Sequence, residues 1–196
     1  MKLTIIGGFS IRGKIELIHH VILGIHLQNS STSVRCILSE TEEDDFSSAV
    51  FDSDIIQFST LVGGCPCCSH SDELERLFLT TNLRNAEYVI MDVPGICDLE
   101  QLVKTIKKLV SSALVQCYQA LEAGTVRSLL VIAPVLRSNL NYCEGVAISD
   151  DEDDIDDAYE ALKTLNRFNI VSPKPIEAEG PQFVLLSQIP SAQIDQ

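Results

Sequence analysis

Basic side chains are scarce in this chain. Fourteen lysines and arginines stand against 28 aspartates and glutamates, a net charge of −14 over 196 residues. That imbalance argues against affinity for the phosphate backbone of DNA or RNA, or for an anionic membrane surface; proteins, small ligands and cations are the expected partners. Long apolar runs are missing as well. No stretch approaches the roughly 18 apolar residues of a membrane helix, and the N-terminus reaches Gly7-Gly8 where a secretory h-region would continue. The expectation is a soluble, intracellular, cytoplasmic protein. Internal repeats are also lacking. The remaining composition, 45% hydrophobic and 21% charged, suits one globular α/β domain over residues 1–196.

Cysteine is better represented, and three of the seven fall in Leu61-Val-Gly-Gly-Cys-Pro-Cys-Cys-Ser-His70. An odd number, with a compact Cys-x-Cys-Cys beside a histidine, reads as metal or redox chemistry more readily than as a disulfide framework. Thiolates are soft ligands that suit Zn²⁺, Cu(I) or a related transition metal. Cys65, Cys67 and Cys68 are therefore the candidate ligands. Tetrahedral closure wants four donors, and adjacent Cys67 and Cys68 point in different directions, so two cysteines completed by outside ligands are expected. Redox activity or plain packing is the alternative. Cys36, Cys97, Cys117 and Cys143 are expected to be buried as small apolar residues.

The chain reads as alternating strands and helices. Lys2–Ile6 is a β-rich run ending at Gly7-Gly8, and Glu16–Leu27 has helical spacing. Ser33–Leu38 and Asp54–Val62 follow as strands, the second leading into the cysteine loop; Ser69–Leu74 resembles a helix start. Glu87–Asp92 is a strand. Asp98 to about Ala123 reads as one helix with Leu99, Leu102, Ile106, Leu109, Val110 and Leu114 on a face, and Ser128–Val135 as a further strand. Ser149–Asp157 lacks the central glycine of a calcium loop and reads as an exposed, acid-rich helix start capped by Ser149, completed by Tyr159–Phe168. Ser172-Pro-Lys-Pro175 breaks the chain, and Gln182–Leu186 gives a last strand.

Gly8, four residues, Gly13-Lys14 is the spacing of a phosphate-binding loop. There the backbone N–H groups close around phosphates, a helix N-terminus favours anions, and the lysine reaches the terminal phosphates. The next position should carry the hydroxyl that ligates Mg²⁺; here it is Ile15, followed by Glu16. A tight strand-to-helix turn without ligand is the other reading of the glycines. At the carboxyl end of the second strand, where open α/β sheets carry ligands, Glu40 is a candidate metal ligand, whereas Glu42–Asp45 reads as a solvated charge run. Asp92-Val-Pro-Gly95 ends a later strand, as in a Walker B and switch arrangement: the acid would hold Mg²⁺ and the Gly95 N–H would sense the terminal phosphate.

Taken together, Gly8-Phe9 through Gly13-Lys14 with Leu17 and His20, Ile37–Glu40, Gly64-Cys-Pro-Cys-Cys68 and Asp92–Asp98 resemble the CobW-like P-loop GTPases of the CobW/HypB/UreG type, a family of metal chaperones. The resemblance covers about residues 1 to 100 and implies a three-layer P-loop fold with a mostly parallel sheet flanked by helices. It implies that Gly8, Gly13 and Lys14 hold the phosphates of GTP or ATP. Cys65, Cys67 and Cys68, with Glu40, would bind Zn²⁺ or another transition metal, while Asp92 and Gly95 couple metal to nucleotide; Lys14 and Asp92 would be catalytic. A client or partner protein and a homodimer are further implications. This sequence departs from the family at Ile15-Glu16, where it has paired threonines, and at Asp92, where glutamate is usual. It has no Asn-Lys-x-Asp guanine-reading motif; Ser187-Gln-Ile-Pro190 stands nearest. Two functions are thus expected: a nucleotide-dependent metallochaperone with weak or impaired hydrolysis, or a non-catalytic scaffold subunit using the cysteine loop.

Overall fold

The structure, a computed structural model, describes residues 1–46, 55–61, 65–67, 71–79, 83, 86–149, 154–165, 168–170 and 186–188. Its frame is a six-stranded sheet of β1 (Lys2–Gly8), β2 (Val34–Leu38), β3 (Ile56–Thr60), β4 (Tyr88–Asp92), β5 (Leu114–Glu122) and β6 (Gly145–Ser149), in the order β3-β2-β4-β1-β5-β6. Every pairing in it is parallel. Each strand is therefore reached by a crossover, and the carboxyl ends of β1, β2, β3 and β4 open onto the same edge.

Side chains alternate between two cores. Leu3 and Ile5 of β1, Ile37 of β2 and Val89 and Met91 of β4 face one side. There they pack with Leu74 and Phe78 of α2 (Ser71–Leu79) and with Leu99, Leu102 and Ile106 of α3 (Leu99–Leu109). Ile6, Val34, Cys36, Leu38 and Ile90 face the other, against Leu17, Ile18, Ile22 and Ile25 of α1 (Ile11–Gln28). Strands buried on both faces read as continuous apolar runs, which is why these were visible in sequence. A third cluster joins Leu121, Val146 and Ile148 to α4 (Ala123–Ile132), α5 (Pro134–Leu140) and α6 (Ile155–Lys163). The fold is thus α/β with helices on both faces of a parallel sheet. A separate pair, β7 (Phe168–Ile170) and β8 (Leu186–Gln188), is antiparallel.

Four expectations need correction. The first helix starts at Ile11, not Glu16, because Ser10 caps it: its Oγ accepts the Gly13 N–H at 3.0 Å. The helix expected over Asp98–Ala123 is α3 followed by β5, whose alignment between β1 and β6 overrides the helix-forming residues within it. The strand expected at Ser128–Val135 is helical, α4 running to Ile132 and Pro134 opening α5 at a position where its missing N–H costs nothing. Ser149 ends β6, and Asp154 is the residue preceding α6. Ser172–Pro175, most of Gln182–Leu186 and the acids at 150–153 lie outside the described residues.

Candidate functional site

The carboxyl edge of β1 makes a short turn. Gly8 has φ of +122°, and a Cβ there would lie 2.0 Å from the Ala120 carbonyl oxygen, so only glycine fits. Phe9 and Ser10 alone link β1 to α1. The Ser10 N–H donates to the Ala120 carbonyl at 3.2 Å, the Lys14 N–H to the Ser10 carbonyl at 2.9 Å, and the Gly13 N–H to Ser10 Oγ. The amides of Gly13 and Lys14, two expected phosphate donors, are thus bonded within the first helical turn.

Lys14 lies in that turn with its side chain fully buried (0% exposed). Its ammonium donates to Glu40, to Asp92 Oδ1 at 3.3 Å and to the Val93 carbonyl at 3.3 Å. A buried cation requires such partners, since an unpaired one would be neutralised or would unfold the site. The second Asp92 oxygen, Oδ2, accepts from the Thr41 N–H at 2.7 Å, Thr41 Oγ1 at 2.7 Å, the Glu40 N–H at 3.1 Å and the Ser39 N–H at 3.4 Å. Ser39 Oγ also donates to the Asp92 carbonyl at 2.8 Å. The ends of β2 and β4 are therefore stapled through one carboxylate. Ser39 and Thr41 were not singled out in the sequence; hydroxyls flanking an acid at a strand end were the available signal.

The residues that depart from the phosphate-loop pattern have structural places. Ile15 is partly buried against the core beneath α1. Glu16 accepts from Arg12, whose Nε donates to it at 2.9 Å, so its charge has a cationic partner on its own helix. Gly95 sits under the phosphate-loop segment: a Cβ there would meet the Phe9 ring at 2.8 Å and the Gly8 carbonyl at 2.9 Å. The acids Glu42–Asp45 are exposed, and the Glu42 N–H closes their turn on Asp45 Oδ2 at 2.9 Å.

The thiols gather one loop away. Cys65 and Cys67 follow β3, Cys97 follows β4, and their sulfurs all lie within 4.8 Å of one another. Glu40, expected among the metal ligands, is engaged by Lys14 instead. Cys68 and His70 lie outside the described residues. Cys97, expected only to pack, is fully buried as foreseen but also completes this cluster, whereas Cys36, Cys117 and Cys143 are buried in the core. Its position two residues beyond Gly95, on the loop leading from Asp92, was the sequence signal.

The surroundings fix the thiols. Asp98 caps α3, accepting the Gln101 N–H at 3.0 Å, and Gln101 Nε2 donates to the Cys67 carbonyl at 3.0 Å. Buried Asn139 donates through Nδ2 to the Cys97 carbonyl at 2.7 Å and accepts the Leu99 N–H at 3.0 Å. Burial pushes the Cys97 thiol well above its ordinary range, and nearby Cys65 raises it further. Burial and Cys65 also raise Cys67, against the opposing pull of the Asp98 N–H. Three adjacent thiols resist ionising together until a cation neutralises them. In a tetrahedral thiolate site with bonds of about 2.3 Å, sulfurs stand about 3.8 Å apart. The observed cluster needs to contract by about 1 Å at most to match, and its soft donors suit Zn²⁺ or Cu(I).

The family model for the CobW/HypB/UreG nucleotide-binding domain matches residues 2–132. Among solved structures, the fold is similar to the Zn(II)-bound YjiA GTPase from E. coli, with a TM-score of 0.58 and 15% identity over 89% of this chain and 58% of that one. Chloroplast FtsY from Physcomitrella patens gives 0.53 and 14% over 97% and 62%. The signal recognition particle receptor FtsY from Elizabethkingia anophelis gives 0.53 and 13% over 88% and 58%. The chain therefore spans under two thirds of each of these structures. At such identities the likeness establishes the fold, that of P-loop GTPases. No curated protein matches the chain in sequence.

Proposed function

Because the chain belongs to the CobW/HypB/UreG nucleotide-binding domain family, we propose that it is a cytoplasmic metal-binding protein acting in metal delivery or metallocofactor assembly, with impaired nucleotide hydrolysis. The observation that carries this reading is the thiol cluster of Cys65 and Cys67 at the sheet edge that also holds Lys14, Glu40 and Asp92. The metal is cargo, a soft divalent or cuprous ion passed on to a client protein. That the similar YjiA structure is Zn(II)-bound supports zinc as the first ion to try.

In this reading Gly8, Gly13 and Lys14 receive the phosphates of GTP or ATP. Lys14, now paired with Glu40 and Asp92, would turn to the phosphates of a bound nucleotide, and Glu40 and Asp92 would then be the carboxylates available to hold Mg²⁺, which would supply charge neutralisation of those phosphates. Ile15 would offer no hydroxyl to that ion, so turnover is expected to be slow. Gly95, packed beneath Phe9, carries any shift of the phosphate segment to the loop ending in Cys97 and Asp98.

A second reading, a scaffold subunit that binds no nucleotide, draws support from the Gly13 and Lys14 amides being engaged by Ser10. Calorimetric titration with GTP and ATP, each with Mg²⁺, together with a phosphate-release assay, separates the two. Binding heat with slow turnover, accelerated by Ile15→Thr, is the expected result. No heat with any nucleotide would leave the scaffold.

A further inference from the structure

The two faces of the thiol cluster differ in how they are held. Cys65 and Cys67 lie on the short turn after β3, and Cys65 is half-buried. Cys97 is fully buried within the sheet–helix core. Its carbonyl is bonded to Asn139, the next residue caps α3, and Asn139 also receives the Leu99 N–H. Cys97 is thus held from the loop before α3, whereas Cys65 and Cys67 are carried by the turn after β3; Cys67 is buried in the same core cluster and its carbonyl accepts from Gln101 Nε2, while Cys65 packs at the edge of that cluster.

We infer that Cys97 is a thiolate ligand of the cargo metal, the fixed donor against which the Cys65–Cys67 turn closes, with the fourth coordination position left to a ligand from outside this set. The inference rests on the metal-binding reading above and adds to it a donor outside the Cys-x-Cys-Cys segment. Three convergent thiolates make a soft site, and a three-donor protein set leaves a position open to an exchanging ligand. Cys97 lies five residues beyond Asp92, on the loop leaving β4, so the metal would tie the cysteine turn to the segment leading from the Lys14 ion pair. A client thiolate or imidazole entering the open position would then compete with the half-buried Cys65 before it could displace the enclosed Cys97.

The test uses the full chain under anaerobic conditions with Co²⁺ as probe. Cys97→Ala should lower the near-ultraviolet thiolate-to-metal absorbance by about one third relative to the wild type. It should weaken binding by more than about tenfold, the low end of what losing even an outer-shell partner costs. Cys97→Ala and Cys97→Ser both binding with unchanged affinity and absorbance, while Cys67→Ser loses them, would overturn the role of Cys97 and leave the metal reading standing. If Cys65→Ser and Cys67→Ser together also bind unchanged, the metal reading itself falls. Should neither Cys97 variant fold, the cadmium-113 resonance of Cys68→Ser decides: a shift characteristic of three thiolates supports Cys97, and one characteristic of two overturns it.

Discussion

The carboxyl edge of the sheet holds two polar clusters built on opposite principles. Around Lys14, every charge has an internal partner: one ammonium between two carboxylates, with Asp92 further bound by backbone and hydroxyl donors from Ser39, Glu40 and Thr41. Around Cys65, Cys67 and Cys97, the groups are alike and hold one another only weakly, so their full chemistry needs a cation from outside. The first arrangement is complete as it stands and a ligand must disrupt it; the second is completed by a ligand. Both use the segment that leaves β4, Asp92 serving one and Cys97 the other. The two clusters can thus change independently, since one closes on its own charges and the other does not.

The largest expected effect comes from breaking the self-satisfied cluster. Asp92→Ala leaves the buried ammonium only Glu40 and the Val93 carbonyl, and should cost about 3–5 kcal/mol in urea unfolding, the usual penalty for removing one partner of a buried ion pair. A loss below about 1 kcal/mol would mean that Lys14 finds water or other partners, and the contrast between clusters would dissolve. The thiol cluster should respond in the opposite direction. Zn²⁺ at a hundredfold excess over its dissociation constant should stabilise the wild type by about 2.7 kcal/mol, read as a rise in Tm, and Cys67→Ser should abolish the rise.

A smaller change tests the anchoring of Cys97. Asn139→Ala leaves the Cys97 carbonyl and the Leu99 N–H without their buried partner and should cost about 1–3 kcal/mol, with a weakened Co²⁺ spectrum. Unchanged metal affinity in a folded Asn139→Ala would show that Cys97 needs no fixed backbone. A last effect concerns thiols outside the cluster. Burial pushes Cys36 and Cys117 from 9.0 up to about 12. Both stay neutral, folded or unfolded, below pH 9; as pH climbs from 9 toward 12 the unfolded chain releases these protons first, so stability falls across that window. Urea midpoints at pH 8 and pH 10 should show the decline, and iodoacetamide at pH 8 should label Cys65 ahead of either.

The first half of the sheet was legible because β1, β2 and β4 are short apolar runs punctuated by Gly7-Gly8, Ser39-Glu40 and Pro94-Gly95, where periodicity and breakers agree. The second half was not. β5 carries Gln116, Gln119, Ala120, Leu121 and Glu122, good helix formers held extended by pairing on both sides, and Ser128-Leu-Leu-Val-Ile132 is a strand-like run that packs as a helix. The site divided in the same way. Residue types at strand ends pointed to Lys14, Glu40, Asp92, Cys65 and Cys67, but which acid meets which base depends on strand order. β4 lies between β1 and β2, bringing Asp92 to Lys14 and to the backbone after Leu38. Spacing along the chain carries no trace of that adjacency, and for Cys97 it shows only a place after a strand end, not the meeting with the turn after β3.

The all-parallel sheet has a consequence for how the chain acquires its structure. Lys2 pairs with Tyr88 on one side and Leu114 on the other, so β1 is a central strand that has no neighbour until residues 88–92 are made and no second one until residues 114–122 follow. Such long-range closure slows folding and leaves apolar strands unpaired during synthesis, the interval in which aggregation competes. The acid excess of residues 1–122, 16 acids against 9 bases, then acts as mutual repulsion between nascent chains, opposing contact of Leu3, Ile5 and Ile6 with their copies until β4 and β5 arrive.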